Sequence, residues 1–295
     1  PQERDLSLTL ASYHQSAGEY TAAKLILQTF LRLDPFDAQV RLALGDLFRD
    51  MGEPEKAKAE YGKVPPPGPT WRAARRGLAA SLADQRRFKE SWDIFDDLSR
   101  ESQWDPQTAA AYIRALADGG AADKAEEVGR NYLAAGPPTK TADGTVRAAL
   151  GRVLLDAGKA AEAEQQFVTA LAVMNKRSAV AAYGLIRLGM HAGDPCRFPP
   201  PGMADAPIDE LRFRVTMSDL FAQDRDDEHS LEFALAACKL DPQNLAALVR
   251  VAEGHQRLSR QSGKIADAVG AAKAVLVCSP NNNRGLLALA RALSI

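Results

Sequence analysis

Histidine, cysteine and glycine–lysine pairs are the residues most able to announce chemistry, and here their spacing builds no site. His14, His191, His229 and His255 are scattered, with no His-Glu-x-x-His run to hold a metal on one helix face. Cys196, Cys238 and Cys278 are odd in number, so at least one thiol is unpaired, and they fit neither a zinc site nor a disulfide scaffold. They read as free, buried thiols. Gly158-Lys159 is followed by Ala160, and Gly151 stands at the wrong distance for a phosphate-cradling loop. Carboxylates are plentiful, but an acid–base pair needs a water-excluding hollow, and no motif builds one. The sequence therefore predicts no catalytic residue, no metal and no cofactor.

The elements that carry these residues are helices. The 295 residues suffice for one large domain or two ordinary ones. A hydrophobic fraction of 46% with 25% charged residues excludes global disorder. Lys and Arg total 37 against 38 Asp and Glu, and that net charge of −1 argues against a chain made to grip nucleic acid. No apolar run approaches the ~20 residues of a membrane helix. Alanine, the best helix former, is abundant, while aromatics make up only 6%. The chain begins at Pro1, not Met, and finishes on the apolar Leu293-Ser294-Ile295, which reads as a piece of a longer protein. Neither a periplasmic nor a cytoplasmic location follows from it.

Aligned on itself, the chain repeats with a period of about 34 residues. Ser12 to Tyr20, Gly45 to Glu53 and Gly151 to Lys159 each read as the second half of an amphipathic helix, a Gly turn and the start of another helix. A small residue follows five positions after the Gly: Ala23, Ala57, Ala125 and Ala163. Four positions later comes a larger one, Leu27, Tyr61 or Phe167, and Pro35, Pro69, Pro137, Pro242 or Pro280 closes the unit. Gly supplies the left-handed end of the first helix, and the small residue lets antiparallel helices approach. The large residue fills the wedge against the next unit. Pro stops the second helix, and Asp37 or Asn244 can cap the next.

This pattern resembles the tetratricopeptide repeat (TPR), over nearly the whole chain. Repeats start near Arg4, Ala38, Arg72, Pro106, Gly144, Ser178, Leu211 and Val249, with a last helix from about Asn283. The resemblance implies an all-α, right-handed superhelical solenoid of antiparallel helix pairs, with about sixteen helices stabilised by nearest-neighbour stacking. Its organisation is a solenoid over 1–190, a Pro-rich irregular segment or hinge over 191–207, and further helix pairs over 208–295. Three departures stand out. The Pro65-Pro66-Pro67-Gly68-Pro69 run replaces one turn between repeats, and a loop insertion is expected at Pro137-Pro138-Thr139-Lys140. In the sixth unit, Pro195, Pro199, Pro200 and Pro201 forbid a second helix. The first helix of the eighth unit runs long, from Leu245 to about Arg260.

In the TPR family the first helix of each unit lines the concave face. Carried onto this chain, that face presents Asp46, Arg49 and Asp50, then Arg76 and Asp84, Arg114 and Asp118, and Arg152 and Asp156. Between them lies a floor of Ala73, Ala80, Ala83, Ala110, Ala117 and Ala148. Asp46, Arg49, Arg76, Arg114 and Arg152 are thus the candidate partner-binding residues, since guanidinium forks match carboxylates. The alternative is that these Arg only pair with neighbouring Asp and solvate the surface. Where members that hold heat-shock chaperone tails place a Lys and an Asn, this chain has Leu8 and Ser12, which argues against that role.

The resemblance implies a non-catalytic protein–protein interaction scaffold, binding partner segments with acidic residues in the groove formed by 72–156. It extends to the TPR regions of bacterial envelope assembly machines, among them periplasmic scaffolds of exopolysaccharide synthesis and export. Two other readings stay open. One is self-association through the apolar ends, Leu6, Leu8 and Leu10 at one and Leu286 to Leu293 at the other. The other is service as the non-catalytic arm of a larger enzyme.

Overall fold

The computed structural model describes residues 2–101, 105–137, 139–175, 178–189, 209–263 and 265–294. Among the described residues there are sixteen α-helices and no strand. They are α1 (Gln2–Ser16), α2 (Tyr20–Leu33), α3 (Ala38–Asp50), α4 (Pro54–Tyr61), α5 (Pro69–Asp84), α6 (Phe88–Glu101), α7 (Pro106–Asp118) and α8 (Ala122–Ala134). Then come α9 (Lys140–Asp156), α10 (Ala160–Val173), α11 (Ala179–Gly189), α12 (Glu210–Gln223), α13 (Asp227–Leu240), α14 (Leu245–Ser262), α15 (Ile265–Cys278) and α16 (Asn283–Leu293). The chain is a succession of antiparallel helix pairs.

First and second helices start differently. Most first helices carry a side-chain cap: Asp37 on α3, Asp105 on α7, Thr139 on α9, Asp209 on α12, Asn244 on α14 and Asn282 on α16. The second helices α4, α8 and α10 have no side-chain cap and each follows a left-handed glycine turn, whereas α13 is capped by Asp226. At Gly52 (φ 72°) the next N–H, of Glu53, donates to the Phe48 carbonyl at 2.8 Å; Gly18, Gly120 and Gly158 do the same. Two units make this turn without glycine, placing Arg86 (φ 60°) and Arg225 (φ 61°) in the left-handed region.

Several repeat starts fall on helix starts, at Ala38, Pro106 and Asn283, and α14 is long as expected. One expectation is corrected in part. Of Pro137-Pro138-Thr139-Lys140, Pro137 and Thr139 lie between α8 and α9 and Pro138 lies outside the described residues, but Lys140 already opens α9, so part of the added length goes into that helix, which has 17 residues. The reason is local: Thr139 accepts the Ala142 N–H at 3.0 Å, and Asp143 pairs with Arg147 at 2.6 Å. A cap and an intrahelical ion pair one turn early make helix the better use of those residues. The Pro-rich 191–207 segment lies outside the described residues.

The chain divides into two compact units. One holds 27–189; the other holds 2–26 with 209–294, and the boundary falls inside α2. In the first, Ala57, Ala125 and Ala163 are fully buried at helix crossings. Tyr61 lies so close to α3 and α5 that a Cβ on Gly45 or Gly77 would stand 2.5 and 2.7 Å from its ring. Phe167 wedges between α9 and α11 in the same way, at Gly151 and Gly184. Phe95 stacks on Tyr112 with ring centres 5.2 Å apart. In the other unit Ala23 is likewise fully buried, Phe221 stacks on Phe233 at 5.4 Å, and Val249, Ala252, Ala272, Val275 and Ala288 form an apolar cluster.

Candidate binding groove

Within the 27–189 unit, first helices pack beside first helices, α3 against α5, α5 against α7, α7 against α9 and α9 against α11. Their inward faces enclose a groove of about 450 Å³. Its floor is small: Ala73, Gly77 and Ala80 from α5, Ala110, Ala111 and Ala117 from α7, and Ala149 from α9. Leu42, Val153 and Val180 add apolar wall, and Gln107 and Thr145 add uncharged polar groups. All five expected residues, Asp46, Arg49, Arg76, Arg114 and Arg152, line it. Two of the expected floor residues do not. Ala148 points into the core at 3% exposure, and Ala149 takes its place, while Ala83 packs against the apolar cluster around Ile113. Helix α9 presents the neighbouring residue to the groove.

The charged residues are not equivalent. Asp46 accepts a hydrogen bond from the Tyr61 hydroxyl at 2.7 Å, and burial pushes its carboxyl above the usual range, opposed by that bond and by Arg49. Arg49 lies 4.0 Å from Asp46 and 3.9 Å from Asp50; burial works to lower its guanidinium, but the surrounding acids leave it raised. Arg76 donates to Asp105, the cap of α7, at 3.3 Å. Arg152 lies over the Tyr183 ring at 5.7 Å. Asp156 accepts from Arg187 at 3.1 Å. Asp84, at the end of α5, has its carboxyl raised by desolvation, against the pull of Arg49 and Arg114.

Arg114 stands apart. It is exposed where Arg49, Arg76 and Arg152 are half-buried, and among the described residues it has no hydrogen bond and no ion pair. It reaches solvent inside a walled hollow, and that incomplete hydration, followed by the like charge of Arg152, pulls its guanidinium below the usual value. An incoming carboxylate relieves both effects at once, because it restores a hydrogen-bonding partner and cancels the repulsion. The sequence placed Arg114 in the row but carried no signal separating it from Arg76 or Arg152. Their difference depends on Asp105 and Tyr183, which arrive from other helices.

The first helices of the other unit answer the same question differently. Arg250 on α14 pairs with Asp219 on α12, and Arg284 on α16 pairs with Glu253 on α14 at 2.5 Å. There the Arg–acid row is neutralised between neighbouring helices.

His191 and Cys196 lie outside the described residues; the other histidines and cysteines sit on different helix pairs or apart on one. His14 pairs with Glu19 at 2.6 Å and His229 with Asp226 at 2.8 Å, each within its own helix pair. Among the described residues no group of three or more His, Cys, Asp or Glu could hold a metal ion. The thiols correct an expectation: Cys238 is only partly buried and Cys278 is exposed. Cys278 ends α15 facing solvent beside Val277, itself 83% exposed. No helix among the described residues is long and apolar enough to cross a membrane.

The family model for the tetratricopeptide repeat matches residues 14–82. Among solved structures, the chain is similar to TTC0263, a thermophilic TPR protein of Thermus thermophilus, at 20% identity over 64% of this chain and 98% of that one, with a TM-score of 0.50. It is similar at 17% identity to Pseudomonas aeruginosa pilF, covering 83% of this chain and 95% of that one, with a TM-score of 0.45. A chain of the APC/C hetero-tetramer Cut9-Hcn1 is 15% identical over 96% of this chain, with a TM-score of 0.45; this chain spans about half of that one, 48%. No curated protein matches the chain.

Proposed function

We propose that this chain is a non-catalytic scaffold that holds a protein partner by seating a segment of it in the groove of α3, α5, α7, α9 and α11, as its match to the tetratricopeptide-repeat model over residues 14–82 and its helical-pair fold support. The segment carries at least one acidic side chain, and Arg114 is its anchor. The observation that carries this reading is Arg114, which has no hydrogen bond or ion pair among the described residues and whose guanidinium is desolvated over a floor of Ala and Gly, inside a hollow of about 450 Å³. The floor leaves room for a backbone to lie close, and the guanidinium supplies a directional contact at its centre. Four arginines against the three aspartates Asp46, Asp118 and Asp156 leave the lining a small positive excess that steers the same charge.

Panning a random peptide library on the wild type and on Arg114→Glu tests it. The expected result is acidic enrichment on the wild type and its loss or reversal on the variant. Peptides of the same composition from both proteins would overturn the reading. The resemblance to bacterial envelope and exopolysaccharide scaffolds directs the first search for the natural partner to envelope fractions.

A further inference from the structure

The most unusual contact in the 2–26 and 209–294 unit joins residues about as far apart in sequence as the chain allows. Asn282 is fully buried, although it lies in the turn before the last helix. Its Oδ1 caps α16 by accepting the Gly285 N–H at 2.8 Å, while its Nδ2 donates to the Ala17 carbonyl at 2.6 Å, 265 residues away. Around it the α1–α2 turn is seated on the α15–α16 turn. The Ser279 hydroxyl donates to Glu19, whose carboxyl is held below its usual range chiefly by that bond, and Thr21 meets Asn283 at 3.0 Å. Gly18 lies directly on the Arg284 side chain: a Cβ there would stand 2.8 Å from Cδ.

This joint is polar and incompletely filled. Beside it a hollow of about 480 Å³ opens between Leu25 and Leu286, which are 59% and 47% exposed. The neighbouring joint of α14, α15 and α16 is made instead of buried apolar side chains. A contact held by a few hydrogen bonds, with a gap where apolar packing would be, is the kind that opens and re-forms. Its two halves sit near opposite ends of one chain, so the same bonds can form between two copies. Leu6 and Tyr13 on α1, both more than half exposed, and Leu287 on α16 give a second copy further apolar surface to cover.

We propose that the α15–α16 turn is a receptor for the Ala17-Gly18-Glu19 turn, and that a second copy of this chain supplies that turn in exchange for its own, giving a reciprocally swapped dimer. Asn282 reads the partner turn through its amide donor, and Gly18 fits because any side chain would strike Arg284.

The test uses the full chain with Cys196, Cys238 and Cys278 changed to Ser. Thr21→Cys and Asn283→Cys are made in separate proteins, mixed, and joined with a short bifunctional thiol reagent. Exchange predicts a mixed covalent dimer in about tenfold excess over random pairing, growing with protein concentration. The same yield is lost when Asn282→Asp is added to the Asn283→Cys protein. Aspartate keeps the cap of α16 but puts a carboxylate against the Ala17 carbonyl, so loss of crosslinking with an unchanged helical circular dichroism spectrum isolates the joint. Mixed dimers at the random level at every concentration would overturn the proposal. So would a Thr21→Cys/Asn283→Cys double variant that closes only on itself, because the joint is then purely intramolecular.

Discussion

Arg284 grips Glu253 with two prongs, Nε to Oε1 at 2.6 Å and Nη2 to Oε2 at 2.5 Å, across the interface between the first helices of consecutive pairs. Both side chains are less than one-fifth exposed. Burial works to raise the Glu253 carboxyl, but the Arg284 bonds and charge, with help from Arg250, outweigh it and hold the group below its ordinary 4.5. A carboxyl lowered by folding adds stability that is complete above its unfolded value. That stability is lost as pH falls through the folded value. The wild type should therefore lose stability below about pH 4.5 more steeply than Glu253→Gln. At neutral pH the variant should be less stable by about 2 kcal/mol, between the exposed and buried ion-pair cases. Urea melts at pH 7 and pH 4 check both statements, and parallel pH profiles would disprove the pairing.

Arg86 and Arg225 occupy left-handed turn positions where other units use glycine. A side chain there costs about 1 kcal/mol relative to glycine, less the extra freedom glycine gains in the unfolded chain. Arg86→Gly should thus raise stability by about 0.5 kcal/mol. Arg87 keeps its two hydrogen bonds to Glu90 in that variant, so that ion pair is not lost. A lowered denaturation midpoint would show that Arg86 does something beyond turning the chain.

Phe167 is fully buried against Gly151 and Gly184, and a methyl on Gly184 would overlap its ring. Gly184→Ala should cost about 2 kcal/mol by overpacking. Phe167→Leu should partly rescue it by shortening the wedge, although alone it leaves a cavity and destabilises. Additive losses in the double variant would place the strain elsewhere.

Cys278 is exposed, while Cys238 is partly buried and its thiol is pushed up by desolvation, then by Asp241. The thiolate is the reactive form. A maleimide or disulfide reagent added to native protein should label Cys278 first and Cys238 several-fold more slowly, with the two rates converging in denaturant. Mass spectrometry of the labelled peptides resolves the order.

What one helix pair does, its own residues decide, and those features were legible. Gly18, Gly52, Gly120 and Gly158 are all left-handed turns, Ala23, Ala57, Ala125 and Ala163 are all fully buried, and Leu27, Tyr61 and Phe167 are all core. Each follows from backbone sterics and helix periodicity within about one repeat. The groove row was legible through the resemblance to the tetratricopeptide repeat, whose first-helix positions, carried onto this chain, pick out Asp46, Arg49, Arg76, Arg114 and Arg152. Which of those arginines is engaged was not. Arg76 meets Asp105 from 29 residues on and Arg152 lies over the ring of Tyr183, whereas Arg114 has no hydrogen bond or ion pair among the described residues. An ion pair forms or fails over an ångström or two, and that distance is fixed only when neighbouring helices settle against each other. The bond from Asn282 to Ala17 lies further still beyond the sequence, since no local rule links two turns at opposite ends of a chain.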